Sequence, residues 1–340
     1  MIIILKQGST PEQVEGVEST LKEMGYGVHP IYGVERTVIG AVGAPGADKE
    51  AAADQLRALE AVADIVFVLK PYKFVAKEFK SEKSVVRAGD VEIGGNRVVV
   101  MAGPCTVESR EQLLKTARAV KAAGATVLRG GAYKPSTSPY SFQGMGLDGL
   151  KLLAEAREET GLQVITEVMH VRNIELVAEY ADILQIGTRN MQNYEILEEV
   201  GKIRKPVMLK RGMTAKIEEW LQAAEYIVMG GNTQVMLCER GVRTFEPYTR
   251  NTLDLSAVLA VRELSHLPVI VDPSQGTGRS SMVPAMSKAA VAVGADGLII
   301  EVHPNPEKAL KDGAQSITIP AFNQLMVDLP AFAAAAGRSL

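Results

Sequence analysis

Cysteine is nearly absent from the 340 residues: Cys105 and Cys238 are the two that occur, far apart and each in a strand-like run. Two such thiols exclude a disulfide framework and point to a reducing, cytoplasmic compartment. A surplus of charge is missing too, since 37 Lys and Arg stand against 40 Asp and Glu for a formal net charge of −3. Without a basic excess, neither nucleic acid nor an anionic membrane is the expected partner. No run approaches the ~20 apolar residues of a membrane span. The opening MIIILKQGSTPEQ lacks a basic stretch, a long apolar core and a small-residue cleavage site, so no signal peptide is expected. What is present is a chain 46% hydrophobic, long enough for one large domain plus a smaller one.

Residues 1–72 read as a unit of their own. A strand over residues 2–6 leads to Ser9 and Thr10 ahead of Pro11, a helix start, and that helix closes at Gly25 and Gly27. Strands over 28–32 and 37–42, an alanine-rich helix over 48–61 and a strand over 65–69 complete β-α-β-β-α-β, the order of a ferredoxin-like sandwich. Such modules bind regulatory ligands or mediate subunit contacts, and serve equally as structural additions. Residues 73–97 read as a connection. A polar strap over 73–89 alternates charge with single hydrophobics, and DVEIGGNR then suggests a hairpin with its glycine pair between two arms.

From residue 98 to 340, short apolar strands alternate with amphipathic helices. VVVMAG, TVLRGG, QVITEV, DILQIG, PVMLKRG, QVMLCERG, PVIVDPS and GLIIEV make eight strands, each near-continuously apolar as in a parallel sheet buried on both faces. The count and size match an α/β fold of the (β/α)8 TIM barrel type. A doubly wound open sheet is the alternative, but no dinucleotide fingerprint follows the first strand.

In a barrel the C-terminal strand ends converge on one face, where chemistry occurs. Those ends carry Cys105 and Glu108, Arg129 and Lys134, Glu167, Arg189 and Asn190, Lys210 and Arg211, Glu239 and Arg240, Asp272, Ser274 and Gln275, and finally Glu301 and His303 with Asp312 beyond. The richest stretch is VLRGGAYKPSTSPYSFQG, residues 127–144, where an apolar strand breaks into cations, glycines and hydroxyls. Arg129, Lys134, Arg189, Lys210 and Arg240 together suit a substrate with both phosphate and carboxylate, although any one of them could pair with a neighbouring acid. Cys105, Glu301 and Asp312 sit on the first and last strands, neighbours when a barrel closes. A thiolate with two carboxylates suits a divalent ion, and a lone buried cysteine equally suits a packing role.

At GPCTVES, LRGGAYKPSTSPYSFQG, IGTRNMQN, MLKRGM, CERGVRTFE, TRNTLDLSAV, VDPSQGTGR and EVHPNPEKALKDGAQS the chain resembles a known family. It looks like the 3-deoxy-D-arabino-heptulosonate 7-phosphate (DAHP) synthases of the short type, which carry an N-terminal ferredoxin-like regulatory domain. The resemblance implies condensation of phosphoenolpyruvate with D-erythrose 4-phosphate, the first step of the shikimate pathway to aromatic amino acids. It implies a phosphoenolpyruvate cradle at Arg129, Lys134, Arg189, Lys210 and Arg240, and a divalent metal of the Mn, Fe, Co or Zn class at Cys105, Gln275, Glu301 and Asp312. Ser136 and Thr137 would hold the sugar phosphate, tyrosine or phenylalanine would act at residues 1–72, and a homotetramer would form. Lys134, Glu167 and Cys105 are the catalytic candidates, with Lys134 or the metal polarising the aldehyde and Glu167 handling a proton.

Two positions depart from the family pattern. Ser136 stands where KPRT has arginine, which removes a bidentate charge-assisted contact to the sugar phosphate. Gln275 stands where Asp-Pro-Ser-His has histidine, and an amide is a poorer ligand than imidazole for most transition metals. His303, which has a counterpart in the family, is no replacement ligand. Three competing readings remain: the eight-carbon relative that uses arabinose 5-phosphate, a Schiff-base aldolase on Lys210, and a non-catalytic sensor of aromatic amino acids.

Overall fold

The computed structural model describes the chain except residues 34–35, 44–48, 68–69 and 136–139. Its contacts divide into two compact units, Met1–Ser81 and Glu82–Leu340. Among the described residues no helix is long and apolar enough to cross a membrane.

The first unit runs β1 (Ile2–Leu5), α1 (Pro11–Glu23), β2 (Tyr26–Tyr32), β3 (Thr37–Gly43), α2 (Lys49–Arg57) and β4 (Val62–Val66). Its antiparallel sheet has the order β2-β3-β1-β4, the ferredoxin-like arrangement. Helix α1 begins where a capping box fixes it: Thr10 and Gln13 satisfy each other's backbone N–H, with Pro11 next in line. Val14, Val17 and Leu21 of α1 and Ala52, Ala53 and Leu56 of α2 bury against Ile3, Leu5 and Ile39 of the sheet. The last strand starts earlier than the expected 65–69. Pairing with β1 decides it, since Ile3 faces Ile65 and Leu5 faces Val62 across a bulge; Val68 and Leu69 lie outside the described residues. The segment after residue 72 is no surface strap. Phe74, Val75, Ala76 and Phe79 are buried, and Phe74 stands edge-on to Phe79 at 5.1 Å and to His29 at 5.0 Å. Gly40 makes room for that ring, because a Cβ there would lie 2.3 Å from Phe74.

The second unit opens with a hairpin, β5 (Val86–Ala88) and β6 (Val91–Ile93). Its turn is Gly89-Asp90, with Gly89 at φ +58°, rather than the Gly94-Gly95 pair. There follow β7 (Val99–Gly103), α3 (Arg110–Ala122), β8 (Val127–Arg129), α4 (Leu147–Thr160), β9 (Gln163–Val168), α5 (Ile174–Tyr180), β10 (Ile183–Ile186), α6 (Tyr194–Lys202), β11 (Val207–Lys210), α7 (Ile217–Met229), β12 (Val235–Glu239), α8 (Ser256–Leu264), β13 (Val269–Val271), α9 (Pro273–Thr277), α10 (Val283–Ala292), β14 (Gly297–Glu301) and α11 (Ile319–Ala335). Strands β7 to β14 close into one parallel barrel, which removes the open-sheet alternative.

Inside the barrel, Met101, Val127, Ile165, Ile183, Met208, Met236, Ile270 and Ile299 form one cluster with Val86, Ala88, Val91 and Ile93 of the hairpin. The hairpin thereby plugs the N-terminal end. Strand side chains alternate in direction, so the residues two further along face the other end of the same interior.

Candidate active site

That alternation charges the mouth. Two residues beyond Val127, Ile165, Ile183, Met208, Cys238, Ile270 and Ile299 come Arg129, Glu167, Gln185, Lys210, Arg240, Asp272 and Glu301, all buried. Of these, Glu167, Gln185, Lys210 and Arg240 line a cavity of about 310 Å³ whose walls also include Cys105, Lys134, Arg189, Gln275 and Asp312. A volume of that order suits a small phosphorylated substrate.

The cations differ in how they are answered. Lys210 Nζ lies 2.5 Å from Asp272 Oδ2 and donates to Gln275 Oε1 at 3.2 Å. Burial raises the Asp272 pKa, the Lys210 charge and hydrogen bond lower it by more, and the net shift is downward. Arg129 donates to the Pro104 carbonyl at 2.5 Å and lies 3.5 Å from Glu301 Oε1. Lys134 Nζ is 4.0 Å from Glu167 Oε2. Its stem lies back over Gly131, where a Cβ would come within 2.5 Å of Lys134 Cε. Arg240 donates to the Gly241 carbonyl at 3.2 Å and makes no ion pair among the described residues. Burial holds its pKa below the usual guanidinium range. The Nε atoms of both Arg129 and Arg240 are buried with no hydrogen-bond partner among the described residues. Arg189 stands exposed at the rim, in the turn Thr188–Asn190.

Arg211, adjacent to Lys210, points the other way. It pairs with Glu239 and Asp254 at 2.9 Å each and belongs to the outer wall of the barrel, as does Glu239. Glu167 accepts from Gln185 Nε2 at 3.4 Å and presses against Gly187, where a Cβ would meet Glu167 Oε1 at 1.9 Å. Ser136 and Thr137 lie outside the described residues.

A second cluster sits beside the cations. Donor atoms of Cys105, Glu301 and Asp312 all lie within 4.8 Å of one another. Cys105 Sγ donates to Asp312 Oδ2 at 3.2 Å. Burial first, then the charge of Glu301, pushes the Cys105 thiol up to about 12, so it stays protonated until a cation replaces its proton. Among described residues other than glycine, Asp312 alone has positive φ, 53°, a strained backbone of the kind found at functional positions. A buried thiol, the buried carboxylate of Glu301 and the half-buried one of Asp312, converging on one point, fit a divalent metal. Gln275 adjoins them with its amide nitrogen 3.5 Å from Glu301 Oε1 and its oxygen toward Lys210. His303 is turned to Glu108 and to the Asn305 N–H.

Sequence reasoning passed over Gln185, Gln315 and Arg250. Gln315 Nε2 donates to Glu301 Oε2 at 2.7 Å, and Arg250 reaches Gln315 Oε1 at 2.7 Å and Asp312 Oδ1 at 3.3 Å. Gln185 was signalled by the same two-residue step that marks Lys210; Arg250 lies in the polar run TRNTLDLSAV after the sixth barrel strand.

Comparison with known proteins agrees along the whole chain. The DAHP synthetase I family matches residues 75–331, and the DAHP synthase ferredoxin-like domain matches residues 1–70. The phospho-2-dehydro-3-deoxyheptonate aldolase of Thermotoga maritima is 50% identical over 337 residues, covering 99% of both chains. A crystal structure of the Thermotoga maritima DAHP synthase superposes with a TM-score of 0.79 at 49% identity, over 99% of this chain and 98% of that one. A 2-dehydro-3-deoxyphosphooctonate aldolase of Syntrophotalea carbinolica is 33% identical over 265 residues, 72% of this chain and 95% of its own. With its closed eight-stranded barrel and the small antiparallel domain ahead of it, the chain belongs to the DAHP synthetase I family of aldolase-type transferases.

Proposed function

We propose that the chain is a 3-deoxy-7-phosphoheptulonate synthase working at this mouth, condensing phosphoenolpyruvate with D-erythrose 4-phosphate and water to give DAHP and phosphate. The observation that carries the assignment of roles is the pair of buried guanidinium nitrogens, on Arg129 and Arg240, that have no partner among the described residues. A desolvated guanidinium nitrogen without an acceptor is costly, and a ligand with several anionic oxygens removes that cost. Phosphoenolpyruvate brings a phosphate and a carboxylate. Arg129, Lys134, Lys210 and Arg240 hold it from within, and Arg189 from the rim. Ser136 and Thr137, two and three residues beyond Lys134 in sequence, hold the sugar phosphate, the serine without the charge an arginine would bring. The octulosonate alternative is the weaker one, since that relative matches 72% of this chain whereas the heptonate relative matches 99%.

The chemistry then follows from the groups present. The enol carbon of phosphoenolpyruvate attacks the aldehyde carbon, and the aldehyde oxygen takes a proton from the Lys134 ammonium. Water adds at the carbon bearing the phosphate and gives its proton to Glu167, which is 4.0 Å from Lys134 Nζ and able to return it. The hydroxyl of the tetrahedral carbon passes its proton to the departing phosphate as the carbon–oxygen bond to phosphate breaks and the ketone forms, with Arg129, Lys210 and Arg240 meeting the released charge. A divalent ion held by Cys105, Glu301 and Asp312 supplies Lewis acidity toward the aldehyde when bound. Gln315 and Arg129 orient Glu301 for that task.

The N-terminal domain is proposed to bind tyrosine or phenylalanine and inhibit the barrel, on the strength of its ferredoxin-like match. Inhibition that survives removal of residues 1–72 overturns this. For the reaction itself, phosphate release is measured with phosphoenolpyruvate and either erythrose 4-phosphate or arabinose 5-phosphate, with and without chelator. Turnover with the four-carbon sugar is expected, and silence under every metal condition removes the assignment. A borohydride-stable adduct on Lys210 would replace it with Schiff-base chemistry.

A further inference from the structure

Gln275 touches both halves of the mouth, and the chemistry of its two neighbours fixes which way its amide points. Lys210 Nζ, which can only donate, lies 3.2 Å from Oε1, and Glu301 Oε1, a carboxylate oxygen that accepts, lies 3.5 Å from Nε2. Turned over, the amide would set its NH₂ against an ammonium and its carbonyl against a carboxylate. The backbone holds it in place as well: Gln275 N donates to Asp272 Oδ1 at 2.8 Å, and the Gln275 carbonyl accepts from Asn251 Nδ2 at 3.0 Å. In this orientation the triangle of Cys105, Glu301 and Asp312 is offered an N–H, which has no lone pair for a cation.

We propose that Gln275 is a positioning residue and not a ligand: it ties Lys210 of the anion cradle to Glu301 of the cation site, and leaves that site three protein donors. The proposal rests on the assignment above of phosphoenolpyruvate to Lys210 and of a divalent ion to the cluster. Its consequence is that the two sites feel each other through one amide. A cation drawing on Glu301 weakens that carboxylate as acceptor for the Gln275 N–H, and the amide oxygen in turn holds Lys210 less firmly, so each ligand alters binding of the other by the same factor.

The test uses Co²⁺ and phosphoenolpyruvate as separate probes on the full chain, comparing the native protein with Gln275→Leu, and with Gln275→Ala in case the branched side chain disturbs folding. The visible Co²⁺ spectrum, both the thiolate charge-transfer band of Cys105 and the ligand-field envelope, is expected to keep its position and intensity in the variants. The dissociation constant for phosphoenolpyruvate, measured calorimetrically on metal-free protein, is expected to rise about 3- to 10-fold, as for loss of one charge-assisted hydrogen bond. The change in phosphoenolpyruvate affinity on adding Co²⁺ is expected to shrink in the variants. A ligand-field envelope altered by the substitution shows a lost ligand and overturns the proposal, as does an unchanged phosphoenolpyruvate affinity. Failure of the native protein to bind either probe strikes the functional assignment instead, so the two failures are distinguishable.

Discussion

The two ends of the barrel are built by the same eight strands and hold opposite contents. At the hairpin end, Met101, Ile165, Met208, Ile270 and their neighbours meet Val86, Val91 and Ile93 in an all-apolar plug. One pleat further along, the inward positions become Arg129, Glu167, Lys210, Arg240, Asp272 and Glu301, and guanidinium nitrogens are left without partners among the described residues. The first end stabilises the fold and does no chemistry. The second stores desolvated charge that a substrate is shaped to satisfy, and it remains in place because the first holds the strands together. Substitutions in the plug should therefore move stability and leave ligand affinity, and substitutions of an unmatched cation at the mouth should do the reverse.

The largest effect is expected where charge at the mouth is already matched. Asp272→Asn leaves the Lys210 ammonium buried without its counter-charge, and should cost about 3–5 kcal/mol. The sign of the pH dependence follows from the lowered Asp272 pKa. The pair's stabilisation is complete above the unfolded carboxyl value of about 3.9 and is lost as the pH falls through the lower folded value. Urea unfolding of both proteins should show a constant gap from pH 7 to 5 that closes in stronger acid. A gap independent of pH would mean that the pair is not ionised in the folded state.

At the opposite end, Ile93→Ala removes a fully buried side chain from the plug and should cost about 2–5 kcal/mol. Phosphoenolpyruvate affinity should stay as it is. A change in that affinity would show that the plug transmits to the mouth and would break the separation of the two ends.

Arg240→Met should do the reverse. It removes a buried cation that lacks a carboxylate, so urea stability should hold or rise, while phosphoenolpyruvate binding weakens about 10- to 100-fold from the loss of charge-assisted contacts. A fall in stability of the size expected for Asp272→Asn would mean that Arg240 is matched within the protein and does not wait for a ligand.

Much of this division is legible in the sequence, and the parts that are not have identifiable reasons. Eight runs such as VVVMAG and GLIIEV announce a parallel barrel because strands covered on both faces need no polar side. The same completeness hides the phase: in VMLK both Met208 and Leu209 are apolar, so nothing local says that Lys210 faces in and Arg211 out. The eye is drawn to Gly94-Gly95 for the hairpin turn, yet Gly89-Asp90 makes it, because Val86 and Ile93 must both reach the barrel interior. Phe74 and Phe79 read as isolated hydrophobics in a charged strap until a pocket over Gly40 gives one of them a place. Gln315 and Arg250 reach Glu301 and Asp312 from loops, and such partners are set by closure of the barrel and not by sequence spacing.

The finest distinction between the ends concerns a glycine. At the plug, small residues fill space; at the mouth, Gly187 creates it, for a Cβ there would stand 1.9 Å from Glu167 Oε1. Its φ is an ordinary −71°, so no backbone strain accompanies a methyl group at this position. Gly187→Ala should therefore fold as the native protein does, with unchanged urea stability, and instead turn the Glu167 carboxylate away from Gln185 and Lys134. If Glu167 takes the proton from the attacking water, kcat should fall by about 10-fold or more while phosphoenolpyruvate affinity is kept, a smaller loss than the roughly 10²-fold expected when a general base is removed as in Glu167→Gln. Steady-state kinetics on the two variants, read beside phosphoenolpyruvate titrations, separates the possibilities. A native kcat in Gly187→Ala together with a low one in Glu167→Gln would mean that the carboxylate works from a position other than the one it holds against Gly187.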